Sequence, residues 1–198
     1  MGEATLRVFV AVPLTEPAKA HLSSVQRRLM AVAGSSLVRW VGAEGLHISL
    51  KFLGEVPSAQ IPEITRALQR ATQGVAPLQL RITVIGAFPS LARPRVIWAG
   101  ATGETERLST LQQAVESELT ALRFPPDTRA FSPHITLGRV RDQVSPPALQ
   151  RLQETIRGGQ TLTDAPAVPI ETIVLYQSTL TRVGAVYSPL AVVPLAGR

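Results

Sequence analysis

The stretch Gly45-Leu46-His47-Ile48-Ser49-Leu50-Lys51-Phe52-Leu53-Gly54 has a counterpart later in the chain, Ser132-Pro133-His134-Ile135-Thr136-Leu137-Gly138-Arg139-Val140. Each contains a histidine, an isoleucine, a hydroxyl residue and a leucine in that order, and a glycine follows. The chain has three histidines, and these two strings contain two of them, at positions 47 and 134. Their separation of 87 residues is a little under half of the 198-residue chain. This spacing indicates an internal duplication with one such histidine in each half.

Apolar and polar residues alternate in both strings, which is the period of a half-buried β-strand. Side chains two residues apart leave the same face of a strand, so His47 and Ser49 point one way while Ile48 points into a core. His134 and Thr136 form the matching polar face of the second string. An imidazole can give or take a proton near neutral pH, and a hydroxyl can donate a hydrogen bond to an anionic oxygen. Two such pairs facing each other would suit phosphodiester chemistry without a metal.

The composition is that of a folded chain with a substantial core. Hydrophobic residues make up 45% and charged residues 17% of the sequence. The length of 198 residues fits one domain, or two small lobes that share one core. The absence of cysteine excludes disulfides and thiolate metal sites, and it fits a reducing compartment.

The formal net charge is +6, and 18 of the 20 basic residues are arginine. Arginine presents a planar fork that suits phosphate. A basic balance of this kind favours an anionic partner, and nucleic acid is the first candidate. A genome or temperature bias towards arginine would explain the composition equally well.

The apolar run at residues 6–12 is too short for a secretory signal or a membrane span, and Arg7 interrupts it. We therefore expect a cytoplasmic protein that does not associate with a membrane.

The hydrophobic periodicity and the turn residues predict an alternation of strands and helices. Besides the two histidine strands, the predicted strands cover about 6–12, 38–41, 78–88, 95–99, 170–178 and 186–195. Thr15 is the predicted cap and Pro17 an early residue of a first helix that runs to about Ala33, with Leu22, Val25, Leu29 and Val32 as its core-facing stripe. The other predicted helices cover about 59–73, 105–122 and 145–156.

This order predicts an α+β fold made of two pseudo-symmetric halves. Each half would contribute antiparallel sheet with helices on the outside, and the two lobes would meet at a central cleft. We expect residues 1–198 to form a single bilobal domain, with the boundary between the lobes near residues 74–77.

The paired strings resemble the two-histidine (2H) phosphoesterase superfamily, and within it the RNA 2′,3′-cyclic phosphodiesterases, long called 2′-5′ RNA ligases. The likeness covers essentially the whole chain and rests on residues 7–12, 47–56, 131–139 and 175–180, which lead to Tyr187. The resemblance implies hydrolysis of a terminal 2′,3′-cyclic phosphate to a 2′-phosphomonoester. It also implies an ATP-independent joining of such an end to a 5′-hydroxyl, and a bilobal fold without a metal.

The resemblance assigns the same two pairs of residues that the strand pattern singles out. His47 and His134 are the predicted acid and base, and the near-identity of the two strings leaves open which is which. Ser49 and Thr136 are the predicted phosphate-binding donors.

Three further residues are candidates for the site. Simple alternation would put Arg139 on the opposite face from His134, but a bulge at Gly138 could re-aim it into the phosphate pocket that the resemblance suggests; an ion pair at the edge of the core is the alternative. Phe9 is a candidate for contact with a base or ribose, although core packing is slightly preferred. Tyr176 is a candidate for the floor of the cleft, and a buried strand would explain it as well.

The remaining histidine and the tryptophans carry no site prediction. His21 is expected to face solvent from the first helix, and Trp40 and Trp98 are expected in the core rather than as base platforms. No metal and no cofactor are expected, since neither histidine string has a carboxylate or a further ligand at metal-binding spacing. Neither Lys19 nor Lys51 follows a glycine-rich loop, which excludes an ATP-driven ligase of the phosphate-loop kind.

These observations predict a monomeric hydrolase that acts on RNA ends bearing a 2′,3′-cyclic phosphate, with tRNA halves as one example. Two alternatives stay open. One is a phosphodiesterase for small cyclic nucleotides, and the other is a non-catalytic module that binds an RNA end or a nucleotide.

Overall fold

The computed structural model of the chain describes residues 4–34, 36–142, 145–159, 161–162, 165–182 and 184–197. Within these residues the strands are β1 (Thr5–Pro13), β2 (Val38–Trp40), β3 (His47–Pro57), β4 (Leu78–Ser90), β5 (Arg93–Gly103), β6 (His134–Val140), β7 (Ala167–Ile170), β8 (Thr172–Thr181) and β9 (Gly184–Pro194). The α-helices are α1 (Glu16–Ala33), α2 (Ile61–Ala71), α3 (Thr105–Ala121) and α4 (Pro146–Gly158).

The strands form one antiparallel sheet in the order β7-β4-β5-β6-β3-β1-β8-β9. Strand β2 pairs with the second half of β6, beside the point where β3 meets its first half. The two histidine strands are therefore neighbours at the centre of the sheet. This arrangement confirms the predicted α+β class with antiparallel pairing.

The sheet consists of two runs with the same layout, β6-β5-β4-β7 and β3-β1-β8-β9, which meet where β3 pairs with β6. Strands β8 and β9 return from the end of the chain to pair beside β1, so the run around His47 combines strands from both ends of the sequence. The predicted lobe boundary near residues 74–77 falls in the connection between α2 and β4 and stays a prediction.

The first helix begins and ends where the sequence predicts. Thr15 precedes it with extended backbone, although its hydroxyl makes no capping bond, and Gly34 at φ 90° ends it. Its predicted apolar stripe is correct except at Val32, whose side chain is 50% exposed. The buried stripe therefore ends at Leu29, one turn before the end of the helix.

Other differences from the predicted elements are local. A 3₁₀ turn at Ser58–Gln60 precedes α2, which begins at Ile61 with a proline in its first turn. The predicted strand at 170–178 is two strands that separate at Glu171. A bulge in β4 leaves Val84 half-buried and brings Ile85 into the core, so the alternation of a regular strand breaks there.

Helices α2 and α3 pack together, as do α1 and α4, and they cover the apolar face of the sheet. Ile48 and Ile135 are both fully buried in this core. Their neighbours along β3 and β6 must therefore face away from the core, because successive strand residues alternate between faces. None of the helices in the described part of the chain has the length and apolarity that crossing a membrane requires.

Candidate active site

The pairing of β3 with β6 brings the two histidine strings together. Ile48 lies directly opposite Ile135 in the antiparallel pair. The same register places each histidine opposite the hydroxyl residue of the other strand, where Cβ atoms are typically about 4.5–5.5 Å apart. All four of these polar side chains are half-buried and lie on the face of the sheet opposite the core: His47, Ser49, His134 and Thr136.

A cavity of about 900 Å³ opens beside this seam. Four of the predicted site residues line it: Ser49, His134, Thr136 and Arg139. The rest of its wall includes Lys51, Phe52, Phe88, Arg95, Arg129 and Phe131. His47 adjoins the cavity through Ser49, whose Oγ is 3.1 Å from the His47 Nε2 atom. Within the described ranges, no group of three or more His, Asp or Glu side chains is placed to hold a metal ion.

Both imidazoles are held by the same kind of hydrogen bond. The Nδ1 atom of His47 is 2.8 Å from the carbonyl oxygen of Gly45, and that of His134 is 2.8 Å from the carbonyl oxygen of Ser132. A carbonyl can only accept, so in each ring Nδ1 carries the proton and donates it. The Nε2 atom of each histidine is therefore the one available for proton exchange, and the backbone two residues earlier sets the ring orientation.

His47 is surrounded by aromatic rings. The ring centroids of Phe9 and Tyr187 lie 5.0 and 5.2 Å from its own. The pKa of His47 is lowered to about 4, mainly by burial; the Gly45 hydrogen bond acts in the opposite direction, and the charge on His134 adds to the lowering. The ring is thus neutral at pH 7 in the substrate-free protein, and its Nε2 accepts a hydrogen bond from the Ser49 hydroxyl.

Phe9 and Tyr176 lie behind His47 rather than on the cavity wall. Phe9 is only 2% exposed and its ring packs 5.4 Å from that of Tyr176, which favours the packing alternative; contact with a base or ribose stays a prediction. Tyr176 is half-buried, its ring centroid is 6.5 Å from that of His47, and burial raises its pKa. A substrate contact by Tyr176 stays a prediction.

The bulge predicted at Gly138 is present and decides the position of Arg139. Ile97 and Trp98 of β5 pair with positions 138 and 136 of β6, which leaves Leu137 as an extra residue. Leu137 and Gly138 are consequently buried in succession, and Arg139 falls on the polar face and lines the cavity.

Lys51 has a structural role that the sequence analysis missed. It is 2% exposed, and its Nζ atom donates to Glu116 Oε1 and to the carbonyl oxygen of Pro125, both at 2.6 Å. The backbone N–H of Asp127 donates to the same Glu116 oxygen at 2.8 Å. These bonds tie β3 and α3 to the segment 124–133, which forms part of the cavity wall and carries the Ser132 carbonyl that orients His134. The sequence feature that could have indicated this role is a single lysine within a mostly apolar strand.

His21 is more enclosed than the sequence suggested, whereas both tryptophans pack inside the protein as expected. His21 is half-buried with its Nε2 atom fully covered, so the prediction that it faces solvent is wrong. Trp40 packs against the core, and Trp98 stacks on Phe88 at 5.1 Å, next to His134. Neither indole N–H finds a hydrogen-bond partner within the described residues.

Comparison with known proteins gives one family for both halves of the chain. The model of the family described as LigT like Phosphoesterase matches residues 12–98 and again residues 101–187. Each matched stretch contains one of the two histidine strings, which accords with the duplication inferred from their spacing.

Similar proteins match the chain over most of its length. The RNA 2′,3′-cyclic phosphodiesterase of Methanothermobacter thermautotrophicus is 30% identical over 187 residues, which are 94% of this chain and 97% of the relative. The protein of the same name in Thermotoga maritima is 34% identical over 189 residues, 93% of each chain. A crystal structure of a Thermus thermophilus protein has a TM-score of 0.78 and 28% identity, and the match covers 97% of this chain and 99% of that one. The resemblance seen in the motifs is confirmed.

Because its pKa is lowered, His47 should make the folded protein less stable at acid pH. The unfolded chain binds a proton at this residue below about pH 6.5, while the folded state resists it down to about pH 4. This difference leaves the free energy of unfolding unaffected above pH 6.5. As the pH falls from 6.5 to 4, the free energy of unfolding should decrease by roughly 3 kcal/mol, since each pKa unit corresponds to about 1.36 kcal/mol.

We expect His47→Gln to lose less stability than the parent protein between pH 6.5 and 4, because the titrating group is gone. Urea unfolding at pH 8, 6.5, 5 and 4 would measure the difference. An NMR titration of the parent protein should place the His47 imidazole near pH 4, and a midpoint near 6.5 would contradict the burial argument.

Removal of the buried ammonium should destabilise the protein. In Lys51→Met, Glu116 keeps a partly buried carboxylate without its cation, and the loss should be roughly 3–5 kcal/mol in urea unfolding. The double variant Lys51→Met/Glu116→Leu should recover part of this loss, because no charge is left unpaired. A single variant as stable as the parent would show that the pair does not hold the segment.

Proposed function

Since the chain belongs to the LigT-like phosphoesterase family, we propose that it is an RNA 2′,3′-cyclic phosphodiesterase that converts a terminal 2′,3′-cyclic phosphate into a 2′-phosphomonoester. The observation that carries this proposal is the seam at which two imidazoles meet, each with its Nε2 atom available and each opposite a hydroxyl residue. The 30–34% identity to the two enzymes of that name supports the substrate class.

The reaction needs two proton transfers, and the two histidines can perform both. In the proposed step a neutral imidazole accepts a proton from water at Nε2 as the water oxygen attacks phosphorus. The other imidazole, protonated at Nε2, gives its proton to O3′ as the bond between phosphorus and O3′ breaks. The product has a free 3′-hydroxyl and a 2′-phosphate. General acid–base assistance of this kind contributes about 10²–10⁴-fold per group. The pseudo-symmetric geometry allows either histidine to fill either role.

Charge that develops on the phosphorane oxygens needs donors at the same place. The hydroxyls of Ser49 and Thr136 line the cavity beside the histidines, and Arg139 adds a guanidinium on the same wall. Hydroxyl and guanidinium donors stabilise such a transition state, and in the proposed step the Ser49 hydroxyl turns from His47 Nε2 to a phosphate oxygen. We assign these three residues to the substrate phosphate.

The same chemistry extends to joining. A 5′-hydroxyl in place of water would attack phosphorus, expel O3′ and leave a 2′-5′ linkage, with the same two proton transfers and no ATP. We also expect the enzyme to be monomeric and cytoplasmic and to act on tRNA halves. These three properties stay predictions.

The proposed mechanism predicts that hydrolysis survives chelation and depends on both histidines. Purified protein with excess EDTA should convert an oligonucleotide with a 2′,3′-cyclic phosphate end into the 2′-phosphate, as mapped by resistance or sensitivity to position-specific phosphatases. His47→Ala and His134→Ala should each lower kcat by at least about 10²-fold.

His21→Ala is the matched control, because His21 lies on α1 away from the cavity, and circular dichroism would verify the fold of all three variants. Activity that EDTA abolishes and a divalent ion restores would contradict the metal-independent step. A near-parental rate in either active-site variant would contradict the two-histidine mechanism.

A small cyclic nucleotide is the second candidate substrate, because a cavity of about 900 Å³ is within the size range of sites for one small ligand. The arginines on its wall favour RNA instead: Arg95, which is 78% exposed, Arg129 and Arg139. Each phosphate contact releases counterions, so affinity for a longer RNA should fall more steeply with salt than affinity for a mononucleotide.

We expect KM for a cyclic-phosphate hexanucleotide to rise several times more steeply between 50 and 300 mM KCl than KM for the matching cyclic mononucleotide. Initial-rate measurements on both substrates with the same enzyme preparation would test this. Equal salt slopes would favour the small-nucleotide activity.

A further inference from the structure

Most of the polar side chains buried in the core lie at the two histidine strands. Among the described residues, four polar or charged residues are buried: Gln26, Lys51, Thr72 and Gln112. Lys51 belongs to β3 itself, while Gln26 and Gln112 lie on α1 and α3. Burial of an amide costs free energy unless the amide is hydrogen-bonded. The bonds of these two glutamines therefore indicate their role.

Gln26 bonds to the bulge of β6. Its Nε2 atom donates to the carbonyl oxygens of Val41 and Leu137, at 2.7 and 2.8 Å, so both amide hydrogens have an acceptor. Leu137 is the extra residue of the bulge, and its carbonyl oxygen also accepts from the backbone N–H of Val41 at 2.9 Å. The glutamine side chain thus joins the end of β2 to the bulge residue of β6.

The pairing of β2 with β6 needs support at this junction. Strand β2 has three residues, and Arg39 lies directly opposite Arg139 in the pair. Like charges directly opposite each other destabilise a strand pair. The two hydrogen bonds of Gln26 offset this repulsion two residues away, and they hold the bulge that turns Arg139 towards the cavity.

The other half of the chain has a similar arrangement. Gln112 lies 86 residues after Gln26, close to the 87 residues that separate the two histidines. Val10 and Ala11 of β1 pair with positions 51 and 49 of β3, which leaves Leu50 as an extra residue. Gln112 Nε2 donates to the Leu50 carbonyl oxygen in a long hydrogen bond of 3.4 Å. The long helix of each half thus bonds to the bulge in the histidine strand of the other half.

The bulge of β3 acts on the following side chains as the bulge of β6 does. Leu50 and Lys51 are buried in succession, and Phe52 returns to the polar face. In both halves the fifth residue after the histidine lines the cavity, Phe52 in one and Arg139 in the other. The recurrence of a buried glutamine at both bulges indicates that the bulges must be held in place.

We propose that Gln26 is a positioning residue for Arg139. The assignment rests on the proposed function, which gives Arg139 to the substrate phosphate. The Gln26 amide acts through the backbone, because a shift of the bulge at Leu137 changes the direction in which the Arg139 side chain leaves the strand. A displacement of about 1 Å at a group that positions the substrate can cost on the order of 10²-fold in rate.

Calorimetric titration with inorganic phosphate tests this assignment without turnover. Arg139→Ala should weaken phosphate binding roughly 10- to 100-fold, the range for loss of a hydrogen bond between charged groups. Gln26→Met, which is of similar size and removes both hydrogen bonds, should weaken it roughly 3- to 30-fold. The two effects should not multiply, because Gln26 acts through Arg139. The double variant should therefore bind phosphate within about twofold of Arg139→Ala.

Gln26→Asn decides the question if circular dichroism shows that Gln26→Met does not fold. Its amide is one methylene too short to reach both carbonyl oxygens. Gln26→Asn should therefore also weaken phosphate binding, and this effect should likewise be absent when Arg139 is replaced by alanine.

Thr72→Val is the matched control, because Thr72 is a buried polar residue outside the cavity lining. Its hydroxyl donates to the Gln69 carbonyl oxygen at 3.1 Å, at the end of α2. The variant should lower the free energy of unfolding and keep the phosphate affinity within about twofold of the parent protein.

Three results would overturn the assignment. The first is a parent protein that does not bind phosphate. The second is parental phosphate affinity in a folded Gln26 variant, or an equal loss in Thr72→Val. The third is an effect of Gln26→Met that multiplies with that of Arg139→Ala, since this would show that the glutamine does not act through the arginine.

Turnover separates this inference from the proposed function. With an oligonucleotide that ends in a 2′,3′-cyclic phosphate, Gln26→Met should lower kcat/KM roughly 10- to 100-fold. If the parent protein does not hydrolyse the oligonucleotide but the phosphate affinities show the expected coupling, the positioning role stands and the proposed function falls. If the parent protein hydrolyses it and the affinities show no coupling, the proposed function stands and the positioning role falls.

Discussion

The contact between Ile48 and Ile135 sets the position of every other group in the site. These two buried side chains are paired across the seam where the two runs of the sheet meet. A slip of one residue in this pairing would move each histidine away from the opposite hydroxyl residue and turn one strand's polar face into the core. Two isoleucines in a packed interior resist such a slip strongly, because it would bury imidazoles and hydroxyls without partners. The apolar core thus provides the precision that the proposed proton transfers require.

Duplication produced two similar half-sites, and their surroundings made them different. Each histidine donates from Nδ1 to the carbonyl two residues earlier, so the backbone gives both rings the same orientation. His47, however, lies among Phe9, Tyr187 and other rings that exclude water and lower its pKa. The bulge that follows each string then delivers a phenylalanine in one half and an arginine in the other. An enzyme for an unsymmetrical substrate needs differences of this kind between its halves.

The site also depends on a charged interaction within the fold. The Lys51 ammonium is almost completely buried between Glu116 and the Pro125 carbonyl, and desolvation of such groups is costly unless every bond is made. The bonds of Lys51 connect β3, α3 and the segment 124–133 that leads to His134. The position of the second imidazole is therefore linked to a residue four positions after the first.

Local pattern by itself determined much of this protein. Alternation and capping residues predicted most of the strands and helices, and the duplicated strings singled out the histidines and hydroxyls, because periodicity and motif spacing are properties of short segments. The tertiary structure decided the rest. The pairing of β8 with β1, the burial of Phe9 and the partners of Lys51 depend on residues far apart in the chain; Lys51 and Glu116 are 65 positions apart. The bulge at position 138 could be proposed from a glycine, but the one at position 50 had no such signal. Phe52 was left without a predicted role, since which face a strand residue occupies after a bulge is settled only by the register of the neighbouring strand.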